Sequence, residues 1–109
     1  MQRTKIPQQG HIRASIAKQW RRRKRALAEV SRNGLALRRL AKDLRRDSKI
    51  VLAAVSNNSL ALEWAAKALR RDREIVLAAV SECGYALQWA AETFRSDRPI
   101  VRAAVSTFG

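Results

Sequence analysis

Residues 47–71, DSKIVLAAVSNNSLALEWAAKALRR, and residues 72–96, DREIVLAAVSECGYALQWAAETFRS, are near-copies of one another at a period of 25. Asp47, Asp72 and Asp97 align, as do Ile50, Ile75 and Ile100, then Val55, Val80 and Val105, then Ser56, Ser81 and Ser106. Run backwards, the same register finds a more degenerate copy over residues 22–46, in which Val30-Ser31, Gly34, Ala36-Leu37, Ala41 and Leu44 fall where the unit predicts. A fixed period of this length marks a repeat array, because one such unit cannot bury its apolar face alone and must stack on its neighbours. The expected fold is all-α: a short α-solenoid of 25-residue helix-turn-helix repeats, with a divergent repeat at 22–46, repeats at 47–71 and 72–96, and a half repeat at 97–109.

Within a unit the aspartate is the first landmark. Its carboxylate can accept from an orphan N–H of a helix's first turn, and its charge suits the positive end of the helix. Asp47, Asp72 and Asp97 are therefore expected N-caps, and Pro99 fits the first turn that follows the last of them. Ile50, Val51, Ala53, Ala54 and Val55 cover more than half of a helical wheel, so this first helix is expected to touch neighbours on two sides. Breaks are expected at Asn57-Asn58-Ser59 and Glu82-Cys83-Gly84, with Gly34 and Gly84 in the left-handed geometry that ends helices. A second helix is expected from about Leu60 to Arg71, with Leu62, Ala65, Ala66 and Leu69 on one stripe. The predicted core is Ile50, Val55, Leu62, Leu69, Ile75, Val80, Leu87 and Phe94.

The strings IVLAAVS and GYALQWAAETFRSD resemble the repeat of domain of unknown function 4116, whose tandem units follow D-x-x-[IV]-V-x-A-A-V…G-x-A-L-x-x-A…L-R. The resemblance runs from about Ala26 to Gly109. It implies a helical repeat fold and no particular activity. The first copy departs from the pattern: Arg22 stands for the capping Asp, Arg25 for the Ile, Glu29 for the second Ala and Arg39 for the Trp.

Residues 1–10, MQRTKIPQQG, are expected to form an extended basic arm, since Pro7 and Gly10 discourage a helix. From His11 the pattern changes. Ile12, Ile16 and Trp20 are four apart, and SIAKQWRRR resembles RLAKDLRRD, the end of a unit's second segment, so 11–21 is expected to be a cap helix. The Arg21–Arg25 run then joins it to the divergent repeat, either through a break or as one continuous helix.

Charge is concentrated in this part of the chain. The net charge is +14, yet residues 1–46 hold 15 Lys or Arg against Glu29 and Asp43, while residues 47–109 hold 8 against 7 acids. Such a block repels itself unless an anion lies against it, and a polyphosphate backbone is the commonest such anion. Arg3, Lys5, Arg13, Lys18, Arg21, Arg22, Arg23, Lys24 and Arg25, which all precede the first acid, Glu29, are the expected RNA-phosphate contacts. A solvated basic face is the alternative. Trp64 and Trp89 are equivalent positions, expected to pack between successive second helices rather than to stack on bases. Trp20, beside Arg21, is the better stacking candidate, although in the match to RLAKDLRRD it takes the place of a core leucine and is assigned to the core.

Catalytic chemistry has little support. Cys83 and His11 are each the only residue of their type, so neither a disulfide, a Cys-x-x-Cys metal knuckle nor a local nucleophile pair is expected. There is no phosphate-cradling glycine loop and no apolar run of about 18 residues. The expectation is thus a non-enzymatic RNA-binding structural component without metal, cofactor or small-molecule substrate. A small basic subunit of a ribosome or similar ribonucleoprotein fits best, docked on other protein subunits. The alternative is a protein–protein interaction solenoid that binds an acidic or peptide partner within a larger complex. An intracellular location is expected, mitochondrial or cytoplasmic, because a basic, acid-free N-terminus also has the composition of an organelle targeting sequence.

Overall fold

In the computed structural model, residues 6–108 are described, and side chains over 14–107. They form helices and connecting turns, with no strand among them. Four α-helices, α1 (Ile6–Arg32), α2 (Ser48–Asn57), α3 (Arg73–Glu82) and α4 (Arg98–Phe108), alternate with pairs of short 3₁₀ helices.

The aspartates cap as expected. Asp47 Oδ1 accepts from the amides of Lys49 at 3.0 Å and Ile50 at 3.3 Å, and Asp72 repeats the bonds to Glu74 and Ile75 at 3.0 and 3.4 Å. Asp97 Oδ1 accepts from Ile100 N at 3.3 Å. Each helix thereby satisfies first-turn donors that would otherwise be orphaned.

Helix ends differ from the expectation. Asn33, Asn58 and Cys83 close α1, α2 and α3 in extended conformation, with φ of −145°, −148° and −153°, and no left-handed residue is used. Asn58 N still reaches Ala54 O at 2.8 Å, while its side chain accepts from Leu60 N at 3.0 Å, so one residue ends α2 and starts the next turn. Asn33 does the same with Leu35 N at 3.2 Å. Gly34 is required for closeness rather than for handedness: a Cβ there would lie 2.3 Å from Ala54 O.

The second segment of each unit is also not the α-helix expected over Leu60–Arg71. It is two 3₁₀ helices, Ser59–Trp64 and Leu69–Arg71, separated by Ala65 at φ −71° and ψ 152°. The same division separates Gly34–Arg39 from Leu44–Arg46 at Leu40, and Gly84–Trp89 from Glu92–Ser96 at Ala90. In the two regular units the division coincides with a bond between units. Ala66 N donates to Arg45 O at 3.0 Å and Ala91 N to Arg70 O at 2.9 Å, so the amide that would continue the segment's own helix is bound instead by the preceding unit.

The N-terminal expectation changes as well. Helix α1 is continuous through the Arg21–Arg25 run, and it begins at Ile6, so residues 6–10 are helical rather than an extended arm. Pro7 sits in the first turn, where a missing N–H removes no intrahelical bond. Residues 1–5, including Arg3 and Lys5, lie outside the described residues.

Packing is between neighbours in the chain. Helix α2 lies between α1 and α3, and α3 between α2 and α4, while the 3₁₀ helices Gly34–Arg39, Ser59–Trp64 and Gly84–Trp89 form a second row against them. The molecule measures 64 × 26 × 16 Å with a radius of gyration of 17.6 Å, against about 13 Å for a round domain of this length. The core is accordingly a thin strip. Val30, Leu37, Ile50, Val51, Val55, Leu62, Val76, Val80 and Ile100 are fully buried, and Ile75 nearly so. Of the predicted core, Leu69, Leu87 and Phe94 are only half-buried against that strip.

Candidate nucleic-acid interface

The basic block of α1 is divided by the helical repeat into faces with different duties. Lys18, Arg21, Arg22 and Arg25, at i, i+3, i+4 and i+7, share one face. They line a cavity of about 450 Å³ whose floor is Ala26, Leu40 and Leu44, with Glu29 at its edge. Lys24 is exposed on another side of the helix.

Two of the predicted contacts are already engaged. Arg22 donates from both terminal nitrogens to Asp43, at 2.7 and 3.0 Å. Arg23 forks onto Asp47 through Nε and Nη2. The carboxyls respond: the hydrogen bond from Arg22 holds Asp43 below the usual carboxylate range, and that from Arg23 does the same for Asp47, which the Ile50 and Lys49 amides reinforce. Arg22 and Arg23 are raised correspondingly. Arg23 therefore ties α1 to the cap of α2. Arg73 and Asp97 repeat this pair one unit pair later at 3.2 Å, and the intervening position holds Ser48. That register was legible in the sequence, since Arg23, Ser48, Arg73 and Arg98 align, but the charge run concealed it.

Among the described residues, no carboxylate is in ion-pair contact with Lys18, Arg21, Lys24 or Arg25, all of which are exposed. With Arg32 in the last turn, these four are the described cations of the helix that have no carboxylate partner. Arg13 lies in α1, and its side chain falls outside the described set.

Sequence reasoning missed further cations. Lys42, Arg45 and Arg46 line a cavity of about 300 Å³ with Trp64, Ala65 and Ala66. Lys67, Arg70 and Arg71 line one of about 420 Å³ with Trp89, Ala90, Ala91, Gln88 and Glu92. The signal was present as K-x-x-R-R in KQWRR, KDLRR and KALRR. It read as the polar end of a helix, whereas each trio faces a cavity. Trp64 and Trp89 are half-buried and packed against the core, as their equivalence implied. Trp20 is not core: it is 59% exposed, because, among the described side chains of α1, Ala26 and Val30 are the ones buried in the strip.

Among the described residues there is no group of three or more His, Cys, Asp or Glu suited to a metal ion, and no helix is long and apolar enough to cross a membrane. Cys83 is half-buried and unpaired with another cysteine.

The chain matches a family model over residues 27–70 and 72–109, the model of Domain of unknown function (DUF4116). No curated protein and no solved structure matches it.

Proposed function

We propose, for a chain that belongs to the Domain of unknown function (DUF4116) family, the role of a non-enzymatic RNA-binding component of a ribonucleoprotein. The units are taken to stack as a short α-solenoid of 25-residue repeats that docks on other subunits, while the N-terminal third holds RNA phosphates. The observation that carries this reading is the face of α1, where Lys18, Arg21 and Arg25 crowd one open cavity with Arg22 as the only member bound to a carboxylate. Like charges three and four residues apart destabilise a helix, so the arrangement is favourable when an anion lies across them. A phosphate backbone supplies one charge every few ångströms.

The test is the salt dependence of RNA binding. Each phosphate contact on a single strand contributes about −0.7 to the log–log slope. Replacing Lys18, Arg21, Lys24 and Arg25 together by glutamine is expected to flatten the slope by roughly three units. Replacing Arg22 and Arg23 should instead lower stability, since these two hold Asp43 and Asp47. If the fourfold variant keeps the parent's slope, the basic face is merely solvated.

The second reading then takes over, and it has an observation of its own. Leu35, Leu60 and Tyr85 occupy the same register in three units and are 38%, 38% and 60% exposed. One apolar side chain per unit on the outside suits a protein surface laid along the stack.

A further inference from the structure

Three cavities of this chain share a K-x-x-R-R trio, and two of them add an indole. In the first, Lys18, Arg21 and Arg22 meet Leu40, and the position equivalent to Trp64 is Arg39. In the second, Lys42, Arg45 and Arg46 face Trp64. In the third, Lys67, Arg70 and Arg71 face Trp89.

The second and third sites share the trio, the indole and the backbone bond between them, and the third adds Gln88 and Glu92 to its lining. The carbonyl of the first arginine of each trio accepts the amide two residues after the tryptophan, Ala66 N to Arg45 O and Ala91 N to Arg70 O. This bond fixes the dibasic pair beside the indole. Ala65-Ala66 and Ala90-Ala91 add only methyl groups to the walls. Arg45 Nε and Arg70 Nε are the two buried side-chain donors without an acceptor among the described residues. Ordinary packing pairs such donors, and each would gain a hydrogen bond by turning toward an acceptor that entered the cavity.

We infer that Trp64 and Trp89 head two equivalent pockets for successive nucleotides of a single RNA strand, the base against the indole and its phosphate on the dibasic pair. This rests on the RNA reading and extends it: the strand whose phosphates lie on α1 continues along the 3₁₀ segments that follow, where both pockets lie. Single-strandedness follows from the chemistry, because an indole needs an exposed base face, which a duplex does not offer. Volumes of about 300 and 420 Å³ are at the small end of ligand sites and suit one nucleotide each. Helices pack about 8–10 Å apart, and helical repeats elsewhere take one base per repeat.

The experiment uses the full chain with Trp20→Phe, which leaves Trp64 and Trp89 as its indoles. A single-stranded 12-nucleotide uridine RNA is titrated in, with indole fluorescence and affinity both recorded. Binding is expected to quench the fluorescence, and a 12-base-pair RNA duplex is expected to bind without quenching. Trp64→Leu and Trp89→Leu should each weaken single-strand binding by about 5- to 150-fold, the range for one stacked base, at an unchanged salt slope. Should either leucine variant fail to fold, Arg45→Gln and Arg70→Gln keep both indoles, and each should weaken binding and reduce the quench. Strong, salt-dependent binding without quenching or loss in these variants would overturn the pockets and leave the basic-face reading standing. Equal quenching by polyglutamate of matched charge would also overturn them, in favour of an acidic protein partner. Absence of RNA binding by the parent would overturn both.

Discussion

Gly34→Ala tests the contact between the divergent first unit and the next one. The added Cβ would sit 2.3 Å from Ala54 O and 3.0 Å from both Cβ and N of Asn58. The oxygen is a backbone atom of α2, a helix held between α1 and α3, and it accepts Asn58 N at 2.8 Å. Something must move by about an ångström. Overpacking of this kind costs about 1–3 kcal/mol, and disturbing the Asn58 bond adds about 1 kcal/mol. The alanine stiffens the unfolded chain, which returns about 0.4–1 kcal/mol. The net expectation is a loss of about 1–3.5 kcal/mol. Urea unfolding followed by far-UV circular dichroism reads it directly, and in a thermal scan it appears as a fall of roughly 4 °C or more per kcal/mol. Ser59→Gly is the control, because Ser59 holds the equivalent position with its Cβ accommodated and the residue only 6% exposed. That change should destabilise slightly, by about 0.5–1 kcal/mol. A Gly34→Ala chain within half a kcal/mol of the parent would refute the close approach.

Leu62→Ala, at a fully buried position, should cost about 2–5 kcal/mol, and Leu69→Ala clearly less in the same denaturant titration, because Leu69 is half-buried. Ser48→Arg places a cation where Arg23 and Arg73 stand in the neighbouring units and should gain about 0.2–1 kcal/mol through Asp72, a gain that Asp72→Asn removes and that high salt diminishes. Asp43 and Asp47 have lowered folded-state pKa values, so their contribution is complete above the ordinary aspartate value of about 3.9 and is lost as pH falls through the lower folded values. The urea midpoint should drop as the pH is taken from 5 towards 2, and Asp43→Asn with Asp47→Asn should flatten that part of the profile.

How much of this was legible follows from where each cause resides. The caps at Asp47, Asp72 and Asp97 are local devices, and one residue type at one spacing was enough to place them. Burial of Ile50, Val55, Leu62, Ile75 and Val80 follows from apolar periodicity in the units. The division of the second segment at Ala65 and Ala90 was hidden, because LALEWAAKAL favours an α-helix by local preference, while the amides of Ala66 and Ala91 just after the break are bound by Arg45 O and Arg70 O of the preceding unit. Gly34 was misread for a related reason: its constraint is Ala54, twenty residues on, and the turn itself makes no demand for glycine. In the basic run, composition identified the cluster but not its assignments. Asp43 and Asp47 claim Arg22 and Arg23 across the fold, and the wheel leaves Trp20 facing outward once Ala26 and Val30 have taken the buried side.

Helix α1 has 27 residues, about 40 Å at 1.5 Å each. Its buried side chains, among those described, are Ala26 and Val30, and its first turn holds no acidic residue to offset the macrodipole. Apart from the Arg22–Asp43 and Arg23–Asp47 pairs, the described part before Ala26 relies on backbone propensity against the mutual repulsion of Lys18 with Arg21 and of Arg21 with Arg25. Its helicity is a coupled equilibrium: any polyanion that screens these pairs lengthens the helix, and lengthening it assembles more of the charged face. Simple salt acts twice, relieving the repulsion while competing for the phosphates, with opposite signs. The measured slope for RNA is therefore expected to be shallower in dilute salt than at higher ionic strength, and circular dichroism of the free protein should show helix gained as salt is added.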